Sequence, residues 1–240
     1  MKIKLANRAP LESRTNLLSH TRPPMLKMLY SPPSTRSLSF MRSLCLLMTT
    51  AFAFIFAALA KTVWVQATFP WDQPMIQAVI QFRRPWLNFV MNTITDTGGN
   101  IAVVVMIGVA LYFFWHQQRL KAITLVASFA GAILFNILLK LLFGPPQPIL
   151  LSSILVETRH SFPSGHAVAA TVLYGFFAVL LWRQHHYTWA GLASAWIIIV
   201  AVSRVYVGAH FPSEVFAGLA LGGLWLFATF TLFDWYAQRT

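Results

Sequence analysis

Long apolar runs alternate with short polar connections along most of the chain. A bilayer core of about 30 Å takes about 20 apolar residues in helical form. Six runs approach that length: Ser43 to Val65, Asn100 to Trp115, Ala122 to Phe143, Ala167 to Trp182, Trp189 to Gly208 and Glu214 to Phe233. The pattern predicts an all-α polytopic membrane protein, six transmembrane helices in a bundle, with short connections that make sequential helices antiparallel. Trp64, Trp115, Trp182, Trp189 and Trp235 fall at the ends of these runs, where an amphipathic ring favours the headgroup layer. Gly218 and Gly222 have the small-residue spacing of closely packed membrane helices.

The first forty residues break this pattern. They hold several Pro, Ser and basic residues and no long apolar run, so residues 1–40 read as a flexible basic tail and residues 41–240 as the membrane domain. Met41-Arg42, directly before an apolar run, is a natural alternative start. Ala58-Leu59-Ala60 before Lys61 resembles a signal-peptidase site; apolar character resumes at Val63 to Val65, which favours a retained helix. Between Gln66 and Gly99, with Pro70, Pro74 and Pro85, short amphipathic helices lying at the interface are expected.

Composition narrows the class further. Of 240 residues, 57% are hydrophobic and only 10% charged, against about a quarter charged in soluble domains. With 20 Phe and 9 Trp the chain is no disordered or collagen-like polymer. The single cysteine, Cys45, excludes an internal disulfide and a zinc-thiolate cage. A net charge of +12 in a soluble protein would suggest nucleic acid, but much of it lies near the N-terminus and between apolar runs, which is membrane topology. The larger share of Lys and Arg falls on the side of the N-terminal tail, Arg119, Lys121, Arg183 and Arg239; both termini are therefore expected in the cytoplasm, with no nucleic-acid partner.

Ionisable residues at membrane helix ends are costly and mark functional candidates. Lys140 ends the third run, Pro163-Ser164-Gly165-His166 begins the fourth, Ser203-Arg204 lies near the end of the fifth, and His210 and Glu214 open the sixth. Antiparallel topology carries all of them to one face, the extracytoplasmic one. Pro163 fits a helix start, so the N–H groups of Ser164, Gly165 and His166 point toward an anion, and Gly165 permits close approach. Lys140 and Arg204 can neutralise phosphoryl oxygens, Lys140 as a point charge and Arg204 through its planar fork. Two histidines allow a nucleophile and a general acid. Pro212 puts Glu214 in the first turn of the last helix, within reach of His210 Nδ1–H, which would fix the tautomer and leave Nε2 free.

These residues resemble the type 2 phosphatidic acid phosphatase (PAP2) family. That family's motifs are a Lys followed after six residues by Arg-Pro, then Pro-Ser-Gly-His, then Ser-Arg, five residues, His, three residues and Asp. Here the first runs from Lys140 to Gln147-Pro148, the second is intact at Pro163 to His166, and the third is Ser203-Arg204 through His210 to Glu214. The resemblance covers most of the chain from about Ser43, including Thr95 to Gly99 before the second span. It implies a phosphoric-ester or diphosphate hydrolase without cofactor or metal, in the bacterial cytoplasmic (inner) membrane with its site on the periplasmic face. Its substrate would be a lipid phosphate or diphosphate, with undecaprenyl diphosphate first and phosphatidylglycerophosphate and phosphatidic acid as alternatives. His210 would attack phosphorus to form a phosphohistidine, His166 would protonate the departing oxygen, and Glu214 would orient His210. Lys140, Gln147, Ser164, Gly165 and Arg204 would hold the phosphoryl oxygens.

Two positions depart from the family. Gln147 stands in place of Arg, removing a charge-assisted contact worth about 1.5 to 3 kcal/mol while keeping an amide donor. Glu214 stands in place of Asp, one methylene longer with charge and acceptor kept. Gln147 and the Pro145-Pro146 pair leave open a non-catalytic lipid-phosphate-binding protein, and the same site suits transfer of phosphate to another lipid or sugar. The oligomeric state is not encoded in any feature. His116, His160, His185 and His186 read as packing or loop residues, and Arg159 as either a headgroup contact or a solvated charge. The outer face offers Asp72, Asp96, Glu157 and Glu214, scattered along the chain, and no nucleotide-binding or zinc-protease motif is present, so metal-assisted phosphoryl transfer is the poorer fit.

Overall fold

The computed structural model describes residues 35–66, 69–143 and 162–237, which form helices and short connections with no strand. The proposed tail up to residue 34 and Gln147, together with Pro145, Pro146, Glu157, Arg159 and His160, lie outside the described residues. In chain order the helices are α1 (Thr35–Gln66), α2 (Asp72–Ile80), α3 (Pro85–Asp96), α4 (Asn100–Trp115), α5 (Arg119–Phe143), α6 (Gly165–Arg183), α7 (Tyr187–Val207) and α8 (Pro212–Ala237).

Five of these, α1 from Met41, α5, α6, α7 and α8, are long and apolar enough to cross a membrane; α3 and α4, bent by 40°, raise the number to six if they count as one span. The expected second span differs in this respect. At 16 residues α4 extends only about 24 Å. α3 precedes it across a break at Thr97-Gly98-Gly99, so the pair is a broken span or a re-entrant loop. α1 runs without interruption through Ala60 and Lys61. The segment between Gln66 and Gly99 does form two short helices, α2 and α3. The apolar residues Ile76 and Val79 of α2 pack against Ala201 and Val205 of α7, Phe211 of the following link and Val215 of α8. Helix α2 is thus tied into the bundle.

The core is built from α4, α5, α6 and α8, with Leu125, Phe129, Val172, Leu173, Phe176, Leu221 and Phe230 buried in one cluster. Outward residues such as Phe54, Val104, Leu111, Ile123, Leu141 and Ile198 are exposed, a surface suited to acyl chains. Trp64, Trp115, Trp182 and Trp189 are also more than half exposed. At the C-terminal end of α6, Arg183 makes a bidentate pair with Asp234 at 2.6 and 2.8 Å and lies over the Phe230 ring.

Glycine sets the closest helix contact. A Cβ at Gly218 would lie 2.6 Å from the Ser164 carbonyl oxygen and 2.8 Å from Ala167 Cβ, and one at Gly222 would lie 2.7 Å from Thr171 Cβ. The start of α6 therefore rests directly on the α8 backbone, as the small-residue spacing predicts. Gly218→Ala is expected to lower the thermal unfolding midpoint in detergent, by about 1 to 3 kcal/mol of overpacking. Gly108→Ala, where a Cβ meets nothing within 4 Å, is expected to leave the midpoint unchanged or raised.

Candidate active site

The site forms where four helix ends and one helix break meet. Pro212 occupies the first position of α8, and the Val215 N–H reaches the Phe211 carbonyl at 3.1 Å, which makes Phe211 the N-cap and Glu214 the third helical residue. From that position Glu214 reaches back: its Oε2 accepts the Phe211 N–H at 3.1 Å, half of a capping box. The same oxygen lies 2.9 Å from His210 Nδ1. An ionised carboxylate only accepts hydrogen bonds, so this contact makes Nδ1 the donor, and a neutral imidazole held this way has its lone pair on Nε2. Both side chains are sealed, at 5% and 3% exposure.

Glu214 also acts through its backbone. Its carbonyl accepts the Ser164 N–H at 3.1 Å, fixing the residue before α6. Asn136 of α5 donates its amide to the Pro163 carbonyl at 3.1 Å and so ties a third helix to the same turn. These contacts set the direction from which α6 starts, with Gly165 and His166 in its first turn. The Ser164 hydroxyl is fully buried and has no hydrogen-bond partner among the described residues. Such a group is costly unless something arrives to satisfy it.

Arg204 lies in the last turn of α7, buried, with Nη1 donating to Thr95 Oγ1 at 3.0 Å. The α3–α4 break packs against the same place. A Cβ on Gly99 would sit 2.7 Å from His166 Nε2, and one on Gly98 would meet the His166 carbonyl at 2.9 Å. Thr97 is fastened by Tyr174, whose hydroxyl donates to its carbonyl at 2.9 Å, and by Trp196, whose indole N–H donates to its hydroxyl at 3.1 Å. Lys140, Arg204 and His210 lie within electrostatic reach of the His166 ring. The structure thus brings together His166, His210, Glu214, Lys140, Ser164, Gly165 and Arg204.

His166 also borders an open groove of about 560 Å³ between α4, α5 and α6. Gly98, Gly99, Asn136 and Gly165 line its head, and Val103, Met106, Phe129, Ile133 and Ile137 line the rest. A histidine and a dipolar helix start at one end, with apolar residues lining the rest, fit an amphiphile with an anionic head. Among the described residues no group of three or more His, Cys, Asp or Glu could hold a metal ion.

Asn136 belongs to no motif in the sequence, and Asp72 stands there as one of four scattered carboxylates. Asn136 stands four residues before Lys140 in an otherwise apolar run, a spacing that puts both on one helix face and was a usable signal. Asp72 carried no such pattern.

A family model described as the PAP2 superfamily matches residues 121–238. Phosphatidylglycerophosphatase B of Bacillus subtilis (strain 168) is 29% identical over 181 residues, covering 72% of this chain and 88% of that protein. The undecaprenyl-diphosphatase of Sulfolobus acidocaldarius is 35% identical over 118 residues, covering 47% of this chain and 55% of its own length. The crystal structure of a transmembrane PAP2-type phosphatidylglycerolphosphate phosphatase from Bacillus subtilis superposes with a TM-score of 0.68 at 25% identity, covering 80% of this chain and 96% of that one.

The arrangement is expected to bind a tetrahedral oxyanion. Millimolar orthovanadate should raise the unfolding midpoint of the detergent-solubilised protein. Arg204→Gln, removing a contact worth about 1.5 to 3 kcal/mol, should weaken that binding by roughly 10- to 100-fold in a thermal-shift titration.

Proposed function

We propose that this chain, a member of the PAP2 superfamily by the model matched over residues 121–238 and by its phosphatase relatives, removes a terminal phosphate from a membrane lipid by a metal-independent histidine mechanism at the extracytoplasmic face. The observation that carries this reading is the buried His210–Glu214 pair, set beside a second histidine at the head of an apolar groove. Binding alone has no need of an oriented imidazole with a free Nε2.

In the first step His210 Nε2 attacks phosphorus in line. The phosphorus–oxygen bond to the lipid breaks, and His166 gives its proton to the departing oxygen. Lys140, Arg204, the Gly165 N–H and the buried Ser164 hydroxyl hold the phosphoryl oxygens while charge builds on them; the Ser164 N–H, expected to join them, is already bonded to the Glu214 carbonyl. Gln147 would add an amide donor in place of a charge. In the second step His166 takes a proton from water, the resulting hydroxide attacks the phosphohistidine, and inorganic phosphate leaves.

The groove supports a lipid substrate: one chain lies among Val103, Met106, Phe129 and Ile133 while the head reaches His166. Coverage guides the choice of headgroup. The relative matched over 88% of its length and the crystal structure matched over 96% are both named for phosphatidylglycerophosphate, whereas the undecaprenyl-diphosphatase is matched over 55%. Phosphatidylglycerophosphate therefore moves to the front and undecaprenyl diphosphate, first on the sequence alone, becomes the second reading. The positive-inside bias supports a bacterial inner membrane location with the site on the periplasmic side.

The test is phosphate release by the purified protein from phosphatidylglycerophosphate, undecaprenyl diphosphate and phosphatidic acid in EDTA. Release is expected to persist in EDTA, to be fastest with phosphatidylglycerophosphate, and to fall to background in His210→Ala. Activity that needs added divalent metal, or survives in His210→Ala, contradicts the mechanism.

A further inference from the structure

The motif from Ser203 to Glu214 runs from the end of α7 through a four-residue link into α8, and both helix ends would be incomplete by their own sequence. An α-helix leaves its last four carbonyls and first N–H groups without internal partners. At the end of α7, Gly208 adopts a left-handed conformation with φ 79°. The Ala209 N–H then bonds the Arg204 carbonyl at 3.1 Å and the Gly208 N–H bonds the Val205 carbonyl at 3.0 Å. Two carbonyls remain. Arg83 takes both, its guanidinium donating to Tyr206 O at 3.2 and 2.9 Å and to Val207 O at 2.9 Å.

The start of α8 has the opposite need. Its N-cap residue is Phe211, whose side chain offers no acceptor, and Pro212 has no N–H. The acceptor comes from α2. Asp72 Oδ1 takes the Ser213 N–H at 2.9 Å and Oδ2 takes the Ser213 hydroxyl at 2.6 Å and the Phe69 N–H at 2.9 Å. Asp72 is fully buried, and a carboxylate so placed is tolerated because these donors meet it.

We propose that α2 and the turn after it form a two-ended brace, in which Asp72 and Arg83 are positioning residues that hold the two helix ends carrying Arg204, His210 and Glu214. Each end receives the charge that suits it, an anion at the N-terminus of α8 and a cation at the C-terminus of α7. Ile76 and Val79 press the brace against both helices, so the cap and the packing act together. Freed from Asp72, Ser213 and its neighbour Glu214 can shift, and the Nδ1 bond of His210 shifts with them. The effect on turnover rests on the phosphatase reading above; the effect on His210 geometry does not.

The test compares Asp72→Ala, Asp72→Asn and Arg83→Gln in the purified full-length protein, with kcat and KM referred to the folded fraction. Asp72→Ala and Arg83→Gln should each lower kcat by on the order of 10- to 100-fold with KM within about twofold of wild type, as loss of an orienting partner does. Asp72→Asn, which keeps an acceptor for the Ser213 N–H, should keep most of the turnover. In parallel, 15N spectra of the His210 imidazole should show one tautomer in the wild type and Asp72→Asn and a mixture in Asp72→Ala. Wild-type kcat in either Asp72→Ala or Arg83→Gln, or a loss accounted for by KM or by the folded fraction, overturns the proposal. If the wild type releases phosphate from none of the lipids, the phosphatase reading fails and the spectra decide the brace: tautomer mixing in Asp72→Ala upholds it, an unchanged spectrum overturns it.

Discussion

Glu214 holds one end of the bundle together through two different groups of one residue. Its carboxylate fixes the His210 ring and the Phe211 N–H, and its backbone carbonyl fixes the residue before α6, from which His166 follows two positions later. A carboxylate so deeply buried stays favourable only if every nearby donor is aimed at it. That demand couples the two histidines, because neither helix start can move without disturbing the other. Gly218 makes the coupling tight, since any side chain there would push against the Ser164 carbonyl.

The same requirement explains why so much of the site consists of helix ends. Inside a bilayer, backbone polar groups must find internal partners, and only at a helix terminus are several of them left over. Here the leftover groups are put to use. The α6 start offers N–H groups to an anion, the α7 end presents Arg204, and the α8 start carries Glu214. The α3–α4 break adds Thr95 and a glycine pair that lets the chain pass against the His166 ring. Beyond His166 and Asn136 the groove is lined by apolar residues.

Much of this was legible in the sequence because its determinants are local. Each span announces itself by its own composition, and the spacing from Arg204 to His210 to Glu214 lies within one turn and link. Pro212 was enough to put Glu214 in the first turn of α8. Other features depend on contacts between distant segments. That α4 is short for a span is visible in its 16 residues, but its pairing with α3 across a 40° bend is visible only in the fold. Asp72 looked like one scattered carboxylate, and Arg83 like one loop cation. Their partners lie 141 and 123 to 124 residues away, and no periodicity in the short α2 segment records that its charged ends meet α7 and α8. The apolar face of α2 was readable as amphipathic; whether it faced lipid headgroups or protein was decided by tertiary packing.

The central claim is that the bond between His210 and Glu214 prepares one nitrogen to accept phosphate. The most direct measurement is rapid quenching of the enzyme with radiolabelled lipid phosphate into alkaline denaturant, followed by digestion and mass spectrometry of the labelled peptide. The account predicts phosphate on His210 of the wild-type protein, formed and lost at rates compatible with turnover, and no label in His210→Ala. Phosphate on another residue, or turnover with no labelled protein at any time point while lipid is being hydrolysed rapidly by His210→Ala, would contradict it.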